Sequence, residues 1–307
     1  MAPRSVLVTG ASGLIGFDLV RRLHAEGHKV VAVDRSVAEF RSVTETAFEV
    51  EIGDVHKLHE LAARFDVDAI VHCGGVSGPM VGKNNPAMVF NVNVGGTVDV
   101  AEVARQLAVH RGSCRLVYCS SLMVYGDQPQ DGIDESHRLL TRNCYASSKV
   151  AAEAVVLAYA EEHNVDAAIL RIASVYGPRR RTSCTLRDMI EDALAGRHTH
   201  LPFGEDSRRQ WVHVDDVVAG IIAALNAPAL KRRVYNISAG VKPQVGEAAS
   251  LIREFIPGAD IKFSGHGDVG YTSVGLLSID AAHEDLGYVP EVSLRVGIKT
   301  LVDAMRH

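Results

Sequence analysis

The sequence predicts a doubly wound α/β fold, a parallel sheet covered by helices on both sides, with a smaller C-terminal substrate-binding lobe. Short runs rich in Val and Ile, apolar on both faces, alternate with longer stretches whose apolar residues recur every three or four positions. The alternation is regular up to about residue 176. It then gives way to the basic, turn-rich YGPRRRTSC and the polar RHTHLPFGEDSRRQ.

Taken in order, SVLVTG, HKVVAVD, AFEVEIGD, DAIVHCGG, CRLVYCSS and DAAILRIAS read as strands, each bounded by Gly, Asp or Ser. Between them LIGFDLVRRLHAEG and PAMVFNVNVGGTVDVAEVARQLAVH have the apolar period of helices. Short elements resume at WVHVDDVVAGIIAALN, VYNIS, GEAASLIREFI, DIKF and LLSID. The predicted division is residues 1–176 for the sheet domain, to which 205–236 return, and 177–307 mainly for the lobe, without an independent core.

Composition narrows the class of function. A chain of 307 residues with 47% hydrophobic and 22% charged content suits a soluble globular protein. Its net charge of -5 offers no general attraction to nucleic acid or anionic lipid. MAPRSVLVTGASGLIG enters a strand without the apolar core of a signal peptide, and no stretch reaches the roughly 18 apolar residues of a membrane span. The five cysteines (Cys73, Cys114, Cys119, Cys144, Cys184) are odd in number and widely spread, which argues against a disulfide framework and a zinc cluster. A reduced, cytoplasmic protein with no metal ligand and a small-molecule partner is expected.

TGASGLIG follows the first strand and opens the first helix, placing Gly10, Gly13 and Gly16 three residues apart. Glycines there permit a tight turn and let the backbone approach a pyrophosphate, whose charge the helix N-terminus stabilises. A plain glycine-rich strand-to-helix turn would look the same locally. Asp34 ends the second strand, 18 residues beyond Gly16, where an acid accepts hydrogen bonds from an adenosine ribose and repels a 2′-phosphate. NAD is therefore expected over NADP, with the adjacent Arg35 pulling the other way. Asp54 is placed either to meet the adenine edge or to cap a turn.

NCYASSKVAAE puts Tyr145 four residues before Lys149 on one side of a helix. A buried tyrosine beside a solvated lysine is the bland account of that spacing. A phenol with an ordinary pKa near 10 is a poor base at neutral pH, and each unit of lowering needs about 1.4 kcal/mol of differential stabilisation, which an ammonium group and a positive nicotinamide ring would supply.

Several motifs coincide in order: TGASGLIG, Asp34, GDV (53–55), HCGG (72–75), NVGGT (93–97), SSLMVYG (120–126), YASSK (145–149), LRIASVYGPR (170–179) and RRQWVHVDDV (208–217). With them the chain resembles the extended short-chain dehydrogenase/reductase family, in its NAD-dependent sugar epimerase and dehydratase branch. The resemblance implies a Rossmann domain with Tyr145 as catalytic acid/base, Lys149 as its electrostatic partner and ribose ligand, and Ser121 as the hydroxyl that orients the substrate. Ser121 is chosen over Ser120 because the family hydroxyl stands three residues before the valine of V-Y-G, here Val124. The implied cofactor site comprises Gly10, Gly13, Leu14, Ile15, Gly16, Asp34, Asp54, Val55, Cys73, Gly74, Gly75, Asn93 and Ser120, with Tyr145 and Lys149. Asn93 is alternatively a structural amide, His72 a satisfied strand-end histidine, and Cys73 and Cys119 small core residues.

Dehydrating members carry acidic residues after the hydroxyl; here stand Leu122 and Met123, which transfer no proton. For the substrate, Arg209 matches a family residue that holds a pyrophosphate, and its guanidinium suits bidentate recognition. Ser174 stands where many members have asparagine, and His266 where they carry a second arginine shortly before G-D. Arg179, with Arg180 and Arg181, is then a candidate second charge partner, or a solvated basic loop.

The resemblance implies epimerisation of a nucleotide-linked sugar, of the UDP-glucose 4-epimerase type, through a transient ketose. A dehydrogenase of a free sugar, a sugar acid or another small hydroxyl compound needs the same triad, and a nucleotide-sensing protein that lost its activity would share the fold. Helices within 85–110 and 143–163 resemble the pair through which relatives dimerise, so a homodimer is expected.

Overall fold

The computed structural model describes residues 4–40, 43–265 and 272–306. Seven strands form one parallel sheet: β1 (Ser5–Thr9), β2 (Lys29–Asp34), β3 (Ala47–Glu49), β4 (Ala69–His72), β5 (Arg115–Ser121), β6 (Asp166–Ile172) and, from later in the chain, β10 (Val234–Ile237). Their spatial order is β10-β6-β5-β4-β1-β2-β3. β1 is central, with Val8 paired to Ala32 on one side and to Val71 on the other.

Alternation along the strands divides the core into two layers. Val6 and Val8 pack with Leu19, Val20 and Leu23 of α1 (Leu14–Ala25) and Val217, Val218 and Ile221 of α7 (Val214–Asn226). Leu7 points the opposite way, onto Leu58 and Leu61 of α2 (Val55–Arg64), Val100 and Val103 of α4 (Gly96–Arg111) and Val156 of α5 (Cys144–His163). Strands buried on both faces need apolar residues at every position, which is why they read as continuous Val/Ile runs.

The helix expected over 86–110 is interrupted. α3 (Pro86–Phe90) passes into a π-helical turn at Asn91–Gly95 before α4 begins. The wide turn exposes the Asn93 carbonyl, which accepts the Thr97 hydroxyl at 2.6 Å, and swings the Asn93 side chain inward. AFEVEIGD pairs only over β3 because a turn closes behind it, Asp54 N donating to Glu51 O at 2.9 Å. LLSID forms a single bridge, Leu277 with Ile133, and Asp280 already opens α9 (Asp280–Leu286).

After β6 the chain forms β7 (Ser174–Tyr176), α6 (Thr185–Leu194), β8 (His198–Leu201) and β9 (Trp211–His213). Beyond β10 come α8 (Val245–Phe255), β11 (Asp260–Phe263) and, after α9, α10 (Leu294–Met305). β7 pairs with β9 and β8 with β11. Leu186, Met189, Ile190, Ile252, Ile298 and Leu301 make a third buried cluster, outside the two layers of the main sheet.

Candidate active site

Strand order reverses at β1, since β2 lies on one side and β4 on the other, and the crevice beyond the strand ends at such a reversal is where open α/β sheets bind ligands. The turn from β1 into α1 lines it. Gly10 has φ +67°, and a Cβ there would stand 2.6 Å from Gly74 N, so the two glycine segments touch backbone to backbone. A Cβ on Gly16 would collide with the Gly10 carbonyl. Gly10, Gly13 and Gly16 thus let the turn pack closely on Gly74 and on itself at the N-terminus of α1, a helix end of the kind that stabilises an anion.

Asp34 closes the crevice on the β2 side. Its carboxylate accepts Ser12 N at 2.9 Å and Arg35 N at 2.7 Å, which fixes it beside the glycine turn. Asp54 accepts Lys57 N at 3.0 Å and caps α2, the structural alternative for this residue, with Val55 opening the helix.

Beyond β4 and β5 the second half of the site assembles. Asn143 caps α5 by accepting Ala146 N at 2.9 Å, which sets Tyr145 and Lys149 one turn apart on an inward face, 8% and 7% exposed. Lys149 Nζ donates to Cys119 O at 2.8 Å and lies 4.9 Å over the Tyr118 ring. Burial opposes its charge, but Tyr118 and Tyr145 outweigh that and hold its pKa above the usual lysine value. Ser121, two residues along β5 from Cys119, is half-buried; its Oγ accepts Met123 N at 3.2 Å and keeps its own proton to donate.

Gly75, Asn93 and Lys149 converge, for a Cβ on Gly75 would stand 2.9 Å from Asn93 Oδ1 and 3.8 Å from Lys149 Nζ. The Asn93 side chain accepts Val76 N at 2.7 Å and donates to Val76 O at 3.2 Å and Ser148 Oγ at 2.9 Å. It thereby ties the loop after β4 to α5.

Two buried networks behind these residues had no signal in the sequence. In the first, Thr97 already donates to Asn93 O, so it accepts from His72 Nε2 at 3.2 Å; His72 Nδ1 then accepts the Thr9 hydroxyl at 2.7 Å, and Thr9 Oγ1 accepts Gly74 N at 3.3 Å. The proton is thus assigned to Nε2 of a neutral ring, whose pKa is lowered to about 3 by burial and then by the Lys149 charge.

In the second, Ser120 Oγ donates to Glu153 Oε1 at 2.5 Å, and Arg171 meets the same carboxylate with Nη2 at 2.8 Å and Nε at 3.2 Å. Arg171 Nη1 continues to Tyr125 Oη at 3.1 Å, which donates to Asn236 Oδ1 at 2.7 Å. The hydroxyl of Ser120 is therefore committed to Glu153, leaving main-chain atoms of that residue to face a cofactor. Cys73 Sγ lies 3.5 Å from Cys119 Sγ, and this contact and burial push its pKa up.

On the lobe side, Ser174 N donates to Gln210 O at 2.9 Å, which places Ser174 beside the segment carrying Arg209. Arg209 is 6% exposed, with its guanidinium 4.9 Å from the centroid of the Phe203 ring. Lys242, which the sequence did not single out, donates to Val274 O at 2.8 Å; burial, and then the neighbouring Arg208 and Arg209, lower its pKa. His266 lies outside the described residues. Arg179, an expected substrate ligand, is engaged elsewhere: it stacks on Phe17 of α1 and pairs with Glu39, because these partners neutralise and cover it. No group of three or more His, Cys, Asp or Glu suited to a metal occurs among the described residues.

A family model described as the NAD dependent epimerase/dehydratase family matches residues 6–238. A UDP-glucose 4-epimerase of Mycolicibacterium smegmatis is 32% identical over 98% of both chains. Among solved structures, MoeE5 in complex with UDP-glucose and NAD superimposes with a TM-score of 0.85 at 26% identity, covering 98% of each chain. A Thermus thermophilus UDP-glucose 4-epimerase in complex with NAD gives a TM-score of 0.85 at 25% identity, over 98% of this chain and 99% of that one.

Proposed function

Because this chain belongs to the NAD-dependent epimerase/dehydratase family, and is an NAD-dependent enzyme of that kind, we propose that it epimerises a hydroxyl-bearing carbon of a UDP-linked sugar. The observation that carries the reading is the burial of Tyr145 and Lys149 on one face of α5, with Lys149 Nζ on Cys119 O, two residues before Ser121, and beside Gly75 and Asn93. In support, the Mycolicibacterium smegmatis relative is a UDP-glucose 4-epimerase, and MoeE5 is in complex with UDP-glucose and NAD.

The turn of Gly10, Gly13 and Gly16 at the start of α1 fits the dinucleotide, and the Arg179 Nε, buried without a hydrogen-bond partner among the described residues, is a spare donor near that helix end. Gly10 to Gly16 would hold the pyrophosphate, Asp34 the adenosine ribose, and Lys149 and Gly74–Gly75 the nicotinamide half. NAD held there would supply the hydride acceptor for oxidation of the sugar carbon and, once reduced, the donor for its reduction.

The protein's part is proton handling and orientation. Tyr145 Oη takes the proton of the sugar hydroxyl as the carbonyl forms and gives it back when the carbonyl is reduced; Ser121 Oγ donates to the same oxygen; Lys149, fixed on Cys119 O, keeps positive charge beside the phenol throughout. Arg209, on Phe203, would grip the diphosphate so that the sugar turns over without leaving.

The five free cysteines support a reducing compartment, and we place the enzyme in the cytoplasm. We also propose a homodimer through α3, α4 and α5. Tyr145→Phe tests the core of the scheme: loss of about 10²- to 10⁴-fold in UDP-sugar interconversion, with NAD binding kept, is expected. Wild-type turnover in that variant sinks the proposal, and NADH accumulating in step with a UDP-sugar product would make the protein a dehydrogenase.

A further inference from the structure

We propose that Glu39, Arg179 and Arg181 form a clasp across the adenosine half of the cofactor site that keeps the dinucleotide bound from one turnover to the next. The inference rests on the epimerase reading, whose chemistry returns to the same sugar what it removes and so never requires cofactor exchange.

The chain leaving β7 crosses the first turn of α1. A Cβ on Gly177 would stand 3.6 Å from Leu14 Cδ1, and the Arg179 guanidinium lies 3.5 Å from the centroid of the Phe17 ring. From there Arg179 Nη2 bonds Glu39 Oε2, and Arg181 Nη2 reaches Glu39 Oε1 at 2.6 Å. Two guanidinium groups thus share one carboxylate, and the Arg179 bond is the main reason the Glu39 carboxyl is held below its usual pKa.

Glu39 sits in the short turn Ala38–Phe40, five residues beyond Asp34, on the loop that bounds the crevice opposite the glycine turn. Ser12 already joins these two walls, its N donating to Asp34 at 2.9 Å and its Oγ to Ser36 O. The arginines add a second crossing, from a segment that belongs to neither wall. A dinucleotide seated between the glycine turn and Asp34 would have Ser12 and Leu14 along one wall and the ion pairs spanning the gap. The pairs are accessible, Glu39 being 48% and Arg181 67% exposed, so the clasp opens to admit the cofactor and its strength depends on salt.

Radiolabelled NAD bound to the intact protein, chased with excess unlabelled NAD, measures the release rate. In low salt, Glu39→Gln and, separately, Arg181→Met are expected to release NAD about two- to fivefold faster than the wild type. Raising the salt should speed release from the wild type towards the rate of Glu39→Gln and change that variant little. Wild-type release rates in both variants overturn the clasp. The assay needs no sugar, so a wild-type protein that holds NAD in this way yet interconverts no UDP-sugar removes the epimerase reading and leaves the clasp standing.

Discussion

Asn93 Nδ2 donates to Ser148 Oγ across 2.9 Å, and Ser148 Oγ donates in turn to Tyr145 O at 2.7 Å, so the π-helical turn at 91–95 is tied to the first turn of α5 next to Lys149. Asn93→Ala cuts that tie and also leaves the Val76 peptide unpaired. Turnover is expected to fall about 10- to 100-fold with little change in KM for the sugar nucleotide, because positioning acts on the reacting groups and leaves the diphosphate grip alone. An equal fall in UDP affinity would show Asn93 to be a general structural prop.

Arg209→Lys keeps the positive charge and loses the planar fork and the stack on Phe203. UDP affinity measured by calorimetry is expected to drop about tenfold, with a smaller effect on uridine, whose recognition needs no phosphate contact. Equal affinity of the variant and wild type for UDP removes Arg209 from the diphosphate site.

The pair Glu153–Arg171 is buried, with side chains 3% and 5% exposed. Glu153→Gln strands the guanidinium and should lower stability by about 3–5 kcal/mol in urea unfolding. The double change Glu153→Gln with Arg171→Met should recover much of the loss, since no buried charge is then left alone. Additive losses would show that the two side chains contribute independently.

His72 has a pKa of about 3 in the folded protein against 6.5 for the free group. Between those values the unfolded chain binds the extra proton, so stability falls as the pH drops through that window, by at most about 1.4 kcal/mol per unit. His72→Asn, less stable at neutral pH, is expected to show a flatter decline when urea midpoints are followed down to about pH 4.5. Parallel declines would assign the acid sensitivity to other groups.

Phe90 and Val98 are 36% and 38% exposed, and Val109 is 65% exposed, along α3 and α4. If these helices and α5 meet a second copy, light scattering should report twice the monomer mass, and Val98→Glu should halve it. A wild-type monomer at working concentration contradicts the dimer.

The strands of the sheet and the pair Tyr145 and Lys149 are legible because their signals are local: a run of Val and Ile, a spacing of four. The groups that hold them are not. Thr9 and His72 are 63 residues apart, and Arg179 is 140 residues from Glu39, so no window of sequence shows that they touch. Read alone, Arg179–Arg181 looks like a phosphate site, and only the fold supplies Glu39. The π-helical turn escapes for another reason: one extra residue in a turn barely disturbs the apolar period, and the Val, Asn and Gly of NVNVGG show no break.

That widened turn has a bearing on how the gene tolerates change. Dropping one codon from 91–95 would restore ordinary winding with α3 and α4 still facing as they do, but would remove the widened loop that swings Asn93 towards α5. In a library of single-residue deletions this stretch should therefore lose activity even where the two helices still fold.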